Sequence, residues 1–169
     1  MNKWYAMHVL TGEELTVKDC LIKNGFTALV PRRKLKEKKG PTWNEVEKSL
    51  LPGYVFVSAD MDVNNYYKLS AITGVINILR GASDYPQPIP EEEMYTIFRL
   101  TMESDLVGIS DLFMDGESVK VVSGPLQGLE GNIRKVDRRR FRAKVAFTFA
   151  GQEKVVELGV NVLDKTESF

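Results

Sequence analysis

The stretch Leu50-Leu51-Pro52-Gly53-Tyr54-Val55-Phe56-Val57 constrains the fold more than any other. Pro52-Gly53 signals a turn. Every other residue in it is Leu, Val, Phe or Tyr, and the run after the turn has the β-branched and aromatic character of a strand. Such a strand must bury at least one face. Periodicity leaves two readings open: a central core strand, or a strand whose entrance residues Leu50, Leu51 and Tyr54 line an apolar docking surface. A chain of 169 residues, 43% of them hydrophobic, has room for one medium domain, or for a domain of roughly 100 residues with a smaller appendage.

Upstream, residues 4–10 alternate as a short strand. Thr11 and Glu14 form a capping-box pattern before a helix over residues 13–24, whose Leu15, Val17, Leu21 and Ile22 make a broad inward stripe and whose stop is Gly25. Residues 26–30 are a second strand, ended by Pro31. From Arg32 to Lys39 six basic residues are opposed only by Glu37. With Gly40-Pro41 as a turn and the next strand starting near Lys48, this segment is an exposed hairpin or loop, either solvated or touching nucleic acid or an acidic partner.

Downstream of the central strand, Asp60 or Asp62 caps a short helix carrying Val63, Tyr66, Tyr67 and Ser70. Residues 73–79 turn into a fourth strand. Pro86, Pro88 and Pro90 stiffen a connection into a helix begun by Glu91-Glu92-Glu93, with Met94, Ile97, Phe98 and Thr101 on one face. The order β-α-β-β-α-β-α describes an α+β domain over residues 1–102 with a largely antiparallel sheet. Periodicity fades over residues 103–112, the expected linker. Residues 113–169 then read as short strands between glycine turns, a small closed all-β barrel. In it Val145, Phe147 and Phe149 share one face while Arg142 and Lys144 share the other.

Formal net charge is zero, so any nucleic-acid binding must come from local patches. Cys20, the one cysteine, excludes an internal disulfide and a cysteine-based zinc site. No apolar run approaches a membrane span and no signal peptide is visible, so a soluble cytoplasmic protein is expected. His8 is the sole histidine, with no Cys or carboxylate beside it. Gly124, Gly128 and Gly131 lie between strands and not before a helix. No catalytic residue, metal or cofactor is expected. The informative cluster is Arg134, Lys135, Arg138, Arg139, Arg140, Arg142 and Lys144, with Phe141 interleaved and Asp137 as the only acid. It is either a solvated turn or a positive knob whose guanidinium forks suit phosphates and whose ring can stack on a base. Folded RNA fits better than duplex DNA, because this domain offers no helix for a major groove.

These pieces together resemble the NusG-type transcription elongation factors along nearly the whole chain. Trp4-Tyr5, Gly12-Glu13, the Leu51–Val57 stretch, Thr73-Gly74-Val75 and Pro88-Ile89-Pro90 match the family's N-terminal (NGN) domain in order. Gly116-Glu117-Ser118-Val119-Lys120-Val121, Gly124-Pro125-Leu126, Gly128-Leu129-Glu130-Gly131 and Val156-Glu157-Leu158 resemble its KOW module, an SH3-like barrel. The resemblance implies an NGN-like domain that docks on the clamp helices of RNA polymerase, with Tyr5, Leu50, Leu51, Pro52, Tyr54 and Phe56 forming or supporting the hydrophobic seat. It implies that Thr11, Ile72 and Thr73 lie toward the non-template DNA strand, and that the work is binding, without bond chemistry. Where the family's housekeeping member carries Phe-Gly-Arg for ribosomal protein or termination factor, this chain has Phe149-Ala150-Gly151-Gln152-Glu153-Lys154. Together with the arginine knob, that departure resembles the specialised LoaP-type antiterminators. A monomer is expected, with polymerase, a structured leader RNA and non-template DNA as partners. The alternatives are a general elongation factor that recruits a ribosomal protein or termination factor, and a ribosome-associated KOW protein. An RfaH-like branch of the family refolds the barrel into helices; the alternation at Val145, Phe147 and Phe149 favours strands.

Overall fold

A computed structural model describes residues 1–102 and 104–163 of the chain. In order, the elements are β1 (Lys3–Val9), α1 (Glu14–Lys23), β2 (Thr27–Leu29), β3 (Arg32–Lys39), β4 (Thr42–Ser49), β5 (Tyr54–Ala59), α2 (Val63–Ser70), β6 (Val75–Ile78) and α3 (Glu91–Thr101). Then follow β7 (Leu106–Val107), β8 (Ser110–Asp115), β9 (Ser118–Ser123), a 3-10 turn (Glu130–Asn132), β10 (Ile133–Asp137), β11 (Arg142–Phe149) and β12 (Gln152–Leu163). The chain forms two compact units. One comprises Met1–Pro31 and Leu51–Met94; the other comprises Arg32–Leu50 and the chain from Tyr95 onward.

The first unit is built on an antiparallel sheet of order β2-β5-β1-β6. β5 is paired on both sides, so the apolar run after Pro52-Gly53 is an interior strand. Alternation puts Val55, Val57 and Ala59 on the same face as Tyr5, Met7 and Val9. These pack with Val17 and Leu21 of α1 and Leu69 of α2. Leu15 and Ile22, expected in the inward stripe of α1, are about half exposed instead. A ten-residue helix lying on a sheet buries a narrow stripe, and the spacing of Val17 and Leu21 already fills it. α2 starts as expected: the Asp62 carboxylate accepts from the Asn65 amide at 2.7 Å.

The second unit gathers pieces distant in sequence. Its first sheet has the order β4-β3-β7, and its second the order β10-β11-β12-β8-β9. Residues 32–49 form a regular hairpin registered from Arg32↔Ser49 to Lys39↔Thr42, so the second strand begins well before Lys48. Charge pairs also link its two strands, which an inventory of basic residues does not reveal: Lys48 meets Glu37 at 2.5 Å and Lys34 meets Glu45 at 3.4 Å. The segment expected as a linker carries β7, paired with β3, and the start of β8, paired with β12. The last positions of the expected barrel, 164–169, lie outside the described residues. In α3 the buried residues are Glu93, Met94, Ile97, Leu100 and Thr101; Phe98 is exposed, because Leu100 completes the helical stripe that Phe98 was expected to share.

β12 ties the second sheet together. It pairs antiparallel with β11 from Gln152 to Gly159 and parallel with β8 from Val160 onward. Val145, Phe147, Phe149, Leu158 and Val160 are buried, as are Leu112, Val121 and Leu126, so the alternation expected in β11 is present and this part is strand-rich. Gly159 stands where β12 changes partner. A Cβ built there would lie 2.5 Å from the Lys34 carbonyl oxygen and 3.5 Å from the Leu35 Cα. Only glycine lets the β3 backbone pass this close. Replacing Gly159 with Ala should therefore cost about 1–3 kcal/mol through overpacking against main chain. Hydrogen exchange should speed up at residues 33–37 in that variant; unchanged protection there would refute the contact.

Candidate functional site

The first cluster surrounds the Pro52-Gly53 turn. Glu14, expected to reach back in a capping box with Thr11, does something else. Its carboxylate accepts from the Gly12 amide at 2.7 Å and from the Gly53 amide at 2.9 Å, while the helix N-cap residue, Glu13, makes no side-chain cap. A buried carboxylate thus holds two turns that are 41 residues apart. Two charge-assisted bonds to main-chain amides are among the stronger local contacts a fold can make. Gly53 has φ +86°, in the left-handed region, and its space is bounded by the His8 ring and the Thr11 hydroxyl, each 3.6 Å from a built Cβ. Next to it the half-buried Tyr54 ring stacks on His8, with centroids 5.4 Å apart.

The residues expected at a hydrophobic seat divide by burial. Tyr5, Leu50, Leu51 and Phe56 are buried, Tyr54 is half-buried and Pro52 is exposed. Tyr5 belongs to the core cluster, and its burial, with the nearby Asp60 charge, raises its phenol pKa. Phe56 and Ala6 are registered partners on the opposite face of the sheet, together with Tyr54 and His8. The Thr11 and Thr73 turns do come together: the Leu10 amide donates to the Gly74 carbonyl at 2.8 Å. Thr11 and Thr73 are exposed and Ile72 is buried beneath them. Sequence reasoning read Glu14 as a cap and so missed its clamp. A carboxylate three residues from the expected N-cap Thr11 gave no sign of its second partner.

The second cluster is basic and belongs to the second unit. Arg134, Lys135, Arg138, Arg139, Arg140 and Lys144 are exposed; Phe141 and Arg142 are half-buried. Lys135 and Lys144 are direct cross-strand partners, an unfavourable pairing of like charges on an open face. Other cations are engaged. Arg142 reaches Glu37 at 3.7 Å and Glu157 at 3.5 Å, and Arg140 reaches Glu157 at 3.8 Å. Arg33 donates to the Glu157 carbonyl at 2.6 Å; burial pulls its pKa down, Glu157 opposes this and Arg142 adds to it. Phe141, expected as a stacking ring, sits at φ +57°, edge-on to Trp43 with centroids 5.0 Å apart and under the Lys36 ammonium. A bulky residue in that backbone region stays only where its surroundings hold it, and here they are the hairpin. Trp43 escaped the sequence reading, although a tryptophan inside so polar a segment was the available signal; Glu37 and Glu157 figure in it, but not as ion-pair partners of this cluster. Among the described residues no group of three His, Cys, Asp or Glu side chains could hold a metal ion, and no helix is long and apolar enough to cross a membrane.

Comparison with known proteins adds a third line. Residues 2–98 match the family model described as "Transcription termination factor nusG". The chain is 28% identical over 177 aligned positions to the transcription termination/antitermination protein NusG of Rickettsia typhi, covering 99% of this chain and 92% of that one. It is also 28% identical to the NusG of Pseudomonas aeruginosa, covering 97% and 98% respectively. A solved structure of Thermotoga maritima NusG, described as showing domain interaction, shares the fold with a TM-score of 0.56 at 23% identity, over 94% of each chain.

The ion pairs of the basic cluster carry a pH signature. The Glu37 carboxyl is held below its ordinary range, first by the hydrogen bond from Lys48, then by the charges of Lys48 and Arg142, with partial desolvation opposing. A folded pKa below the unfolded one gives stability that is present above the ordinary carboxylate range and fades as pH falls through it toward the lowered value. An NMR titration should therefore place the Glu37 midpoint below the unperturbed value of about 4.3. Lys48→Met should move it upward; an unmoved midpoint would mean the pair does not form.

Proposed function

Because the chain belongs to the NusG family of non-enzymatic transcription termination and antitermination factors, we propose that it is a specialised, LoaP-like processive antiterminator. Its N-terminal part docks on the clamp helices of RNA polymerase and its KOW part captures a structured leader RNA. The observation that carries this reading is the exposed arginine turn beside the opposed pair Lys135 and Lys144. Like charges facing each other on an open sheet are relieved by a polyanion, and guanidinium forks suit phosphates. Phe141, engaged with Trp43 and Lys36, has a structural part in this surface.

On the polymerase side, Pro52 and Tyr54 supply the contact, while Tyr5, Leu50, Leu51 and Phe56 support it from within. The exposed Thr11 and Thr73 turns face the non-template strand. The protein acts as a cytoplasmic monomer and needs no cofactor. The turn at Ala150-Gly151, with φ +52° and +77°, is a tight hairpin loop lacking the arginine of the housekeeping pattern, which argues against recruitment of a ribosomal protein or termination factor.

Two measurements test the reading on the full chain. Salt titration of binding to structured leader RNA should show the slope of log K against log salt flattened by about 1.4–1.8 in the variant R138A/R139A, the worth of two phosphate contacts. Binding indifferent to those changes would leave a polymerase factor whose second partner is a protein. Tyr54→Ala should weaken retention on RNA polymerase by about 10–30-fold, as loss of an aromatic anchor does. Tyr67→Ala, at an exposed position of α2, should leave retention unchanged. Equal retention of both variants would remove Tyr54 from the contact.

A further inference from the structure

The basic run of β3 has no part in the reading above, yet the fold brings it to the arginine turn. The hairpin Arg32–Ser49 carries seven basic residues against three acids, and the segment from Arg134 to Lys144 carries seven against one. The 23 basic and 23 acidic residues of the whole chain cancel. Positive charge is therefore concentrated in two segments about a hundred positions apart, and both lie in the same compact unit. They touch directly. Lys36 Nζ is 4.6 Å from the centre of the Phe141 ring and 2.5 Å from Asn161 Oδ1, and the Trp43 ring meets Phe141 edge-on.

Within the hairpin the charges are not equivalent. Toward its base, Lys34 and Lys48 are matched to Glu45 and Glu37, and Arg33 is committed to the Glu157 carbonyl. At the tip, Lys38 and Lys39 are exposed, and Lys38 is the registered partner of Trp43. Trp43 keeps 38% of its surface exposed while resting on Phe141, the residue that directly follows Arg138-Arg139-Arg140. Cations and a part-exposed ring beside a second basic cluster make a surface that can engage phosphates at two places and stack on a base between them.

We propose that the RNA-binding surface is composite: Lys38, Lys39 and Trp43 at the tip of the β3–β4 hairpin form its second half, fixed to the arginine turn through Phe141. The inference rests on the RNA reading above and extends it from the C-terminal strands to a hairpin inserted early in the chain. An RNA with a paired stem fits this surface better than a flexible single strand, because phosphates held at both clusters must keep a fixed separation.

The test uses the full chain with a G·C-stemmed hairpin RNA, and poly-U RNA of equal length as the comparison. K38A/K39A should flatten the salt slope by about 1.4–1.8, as R138A/R139A does, and the combined variant should lose both contributions. Trp4→Phe leaves Trp43 as the single tryptophan; its fluorescence should be quenched on binding the stem–loop, and the quench should shrink with poly-U. Circular dichroism checks that the variants remain folded, as expected for changes at exposed tip positions. If R138A/R139A weakens binding while K38A/K39A and the Trp43 signal do not respond, the composite surface is wrong and the arginine turn acts alone. If neither pair matters, the RNA reading fails and this inference falls with it.

Discussion

The close passage of β3 over β12 at Gly159 is the contact on which the second unit depends. A main-chain carbonyl lies where any other residue would put its Cβ, so the hairpin and the C-terminal strands meet backbone to backbone. Around this point Leu35 is buried, Arg33 reaches the Glu157 carbonyl and Lys36 reaches Asn161. Asn161 in turn donates to Asp111 at 2.9 Å, and Asp111 accepts from Ser123 at 3.0 Å, so the polar chain runs on through β8 to β9. These contacts are part-buried to exposed and pass from partner to partner, while the Arg33 Nε is buried without a hydrogen-bond partner.

The acids Glu37 and Glu157 deserve equal weight with the bases around them. Each is shared by more than one cation: Glu37 by Lys48 and Arg142, Glu157 by Arg140 and Arg142. Arg142, with its side chain only 14% exposed, is thereby a structural ion-pair partner and not part of the open surface. The basic surface is thus sorted by neighbours. Arg142 joins Glu37 of the hairpin to Glu157 of β12, Arg140 at the turn also meets Glu157, and Lys38 and Lys39 at the hairpin tip are exposed. Surface pairs of this kind contribute little singly, so the sorting decides position and accessibility more than stability.

In the first unit a comparable role falls to Glu14. By accepting from both Gly12 and Gly53 it fixes the turn before α1 against the turn before β5. That places Tyr54 on His8 and leaves Pro52 exposed at the strand entrance. The aromatic pair is presented from two adjacent interior strands, β1 and β5, and not from a loop.

Much of this was written locally in the chain. The Pro52-Gly53 turn and the apolar run after it determined a strand with at least one buried face; its pairing with both β1 and β2 made it interior. Asp60 or Asp62 signalled a helix start, with Asp62 the cap in the structure, and the alternation of Val145, Phe147 and Phe149 determined a core-facing strand, since both signals act over a few residues. Tertiary structure alone decided the rest. The segment at residues 32–49, a hairpin or a loop by local pattern, is a regular hairpin through its strand pairing and packing against β12. Leu15, Ile22 and Phe98 turn outward because neighbours already fill the space inside. Glu14 serves two turns instead of a cap, and Phe141 is held by Trp43 instead of standing free. In each case the deciding partner lies far along the chain, and local pattern holds no information about contacts made at that distance.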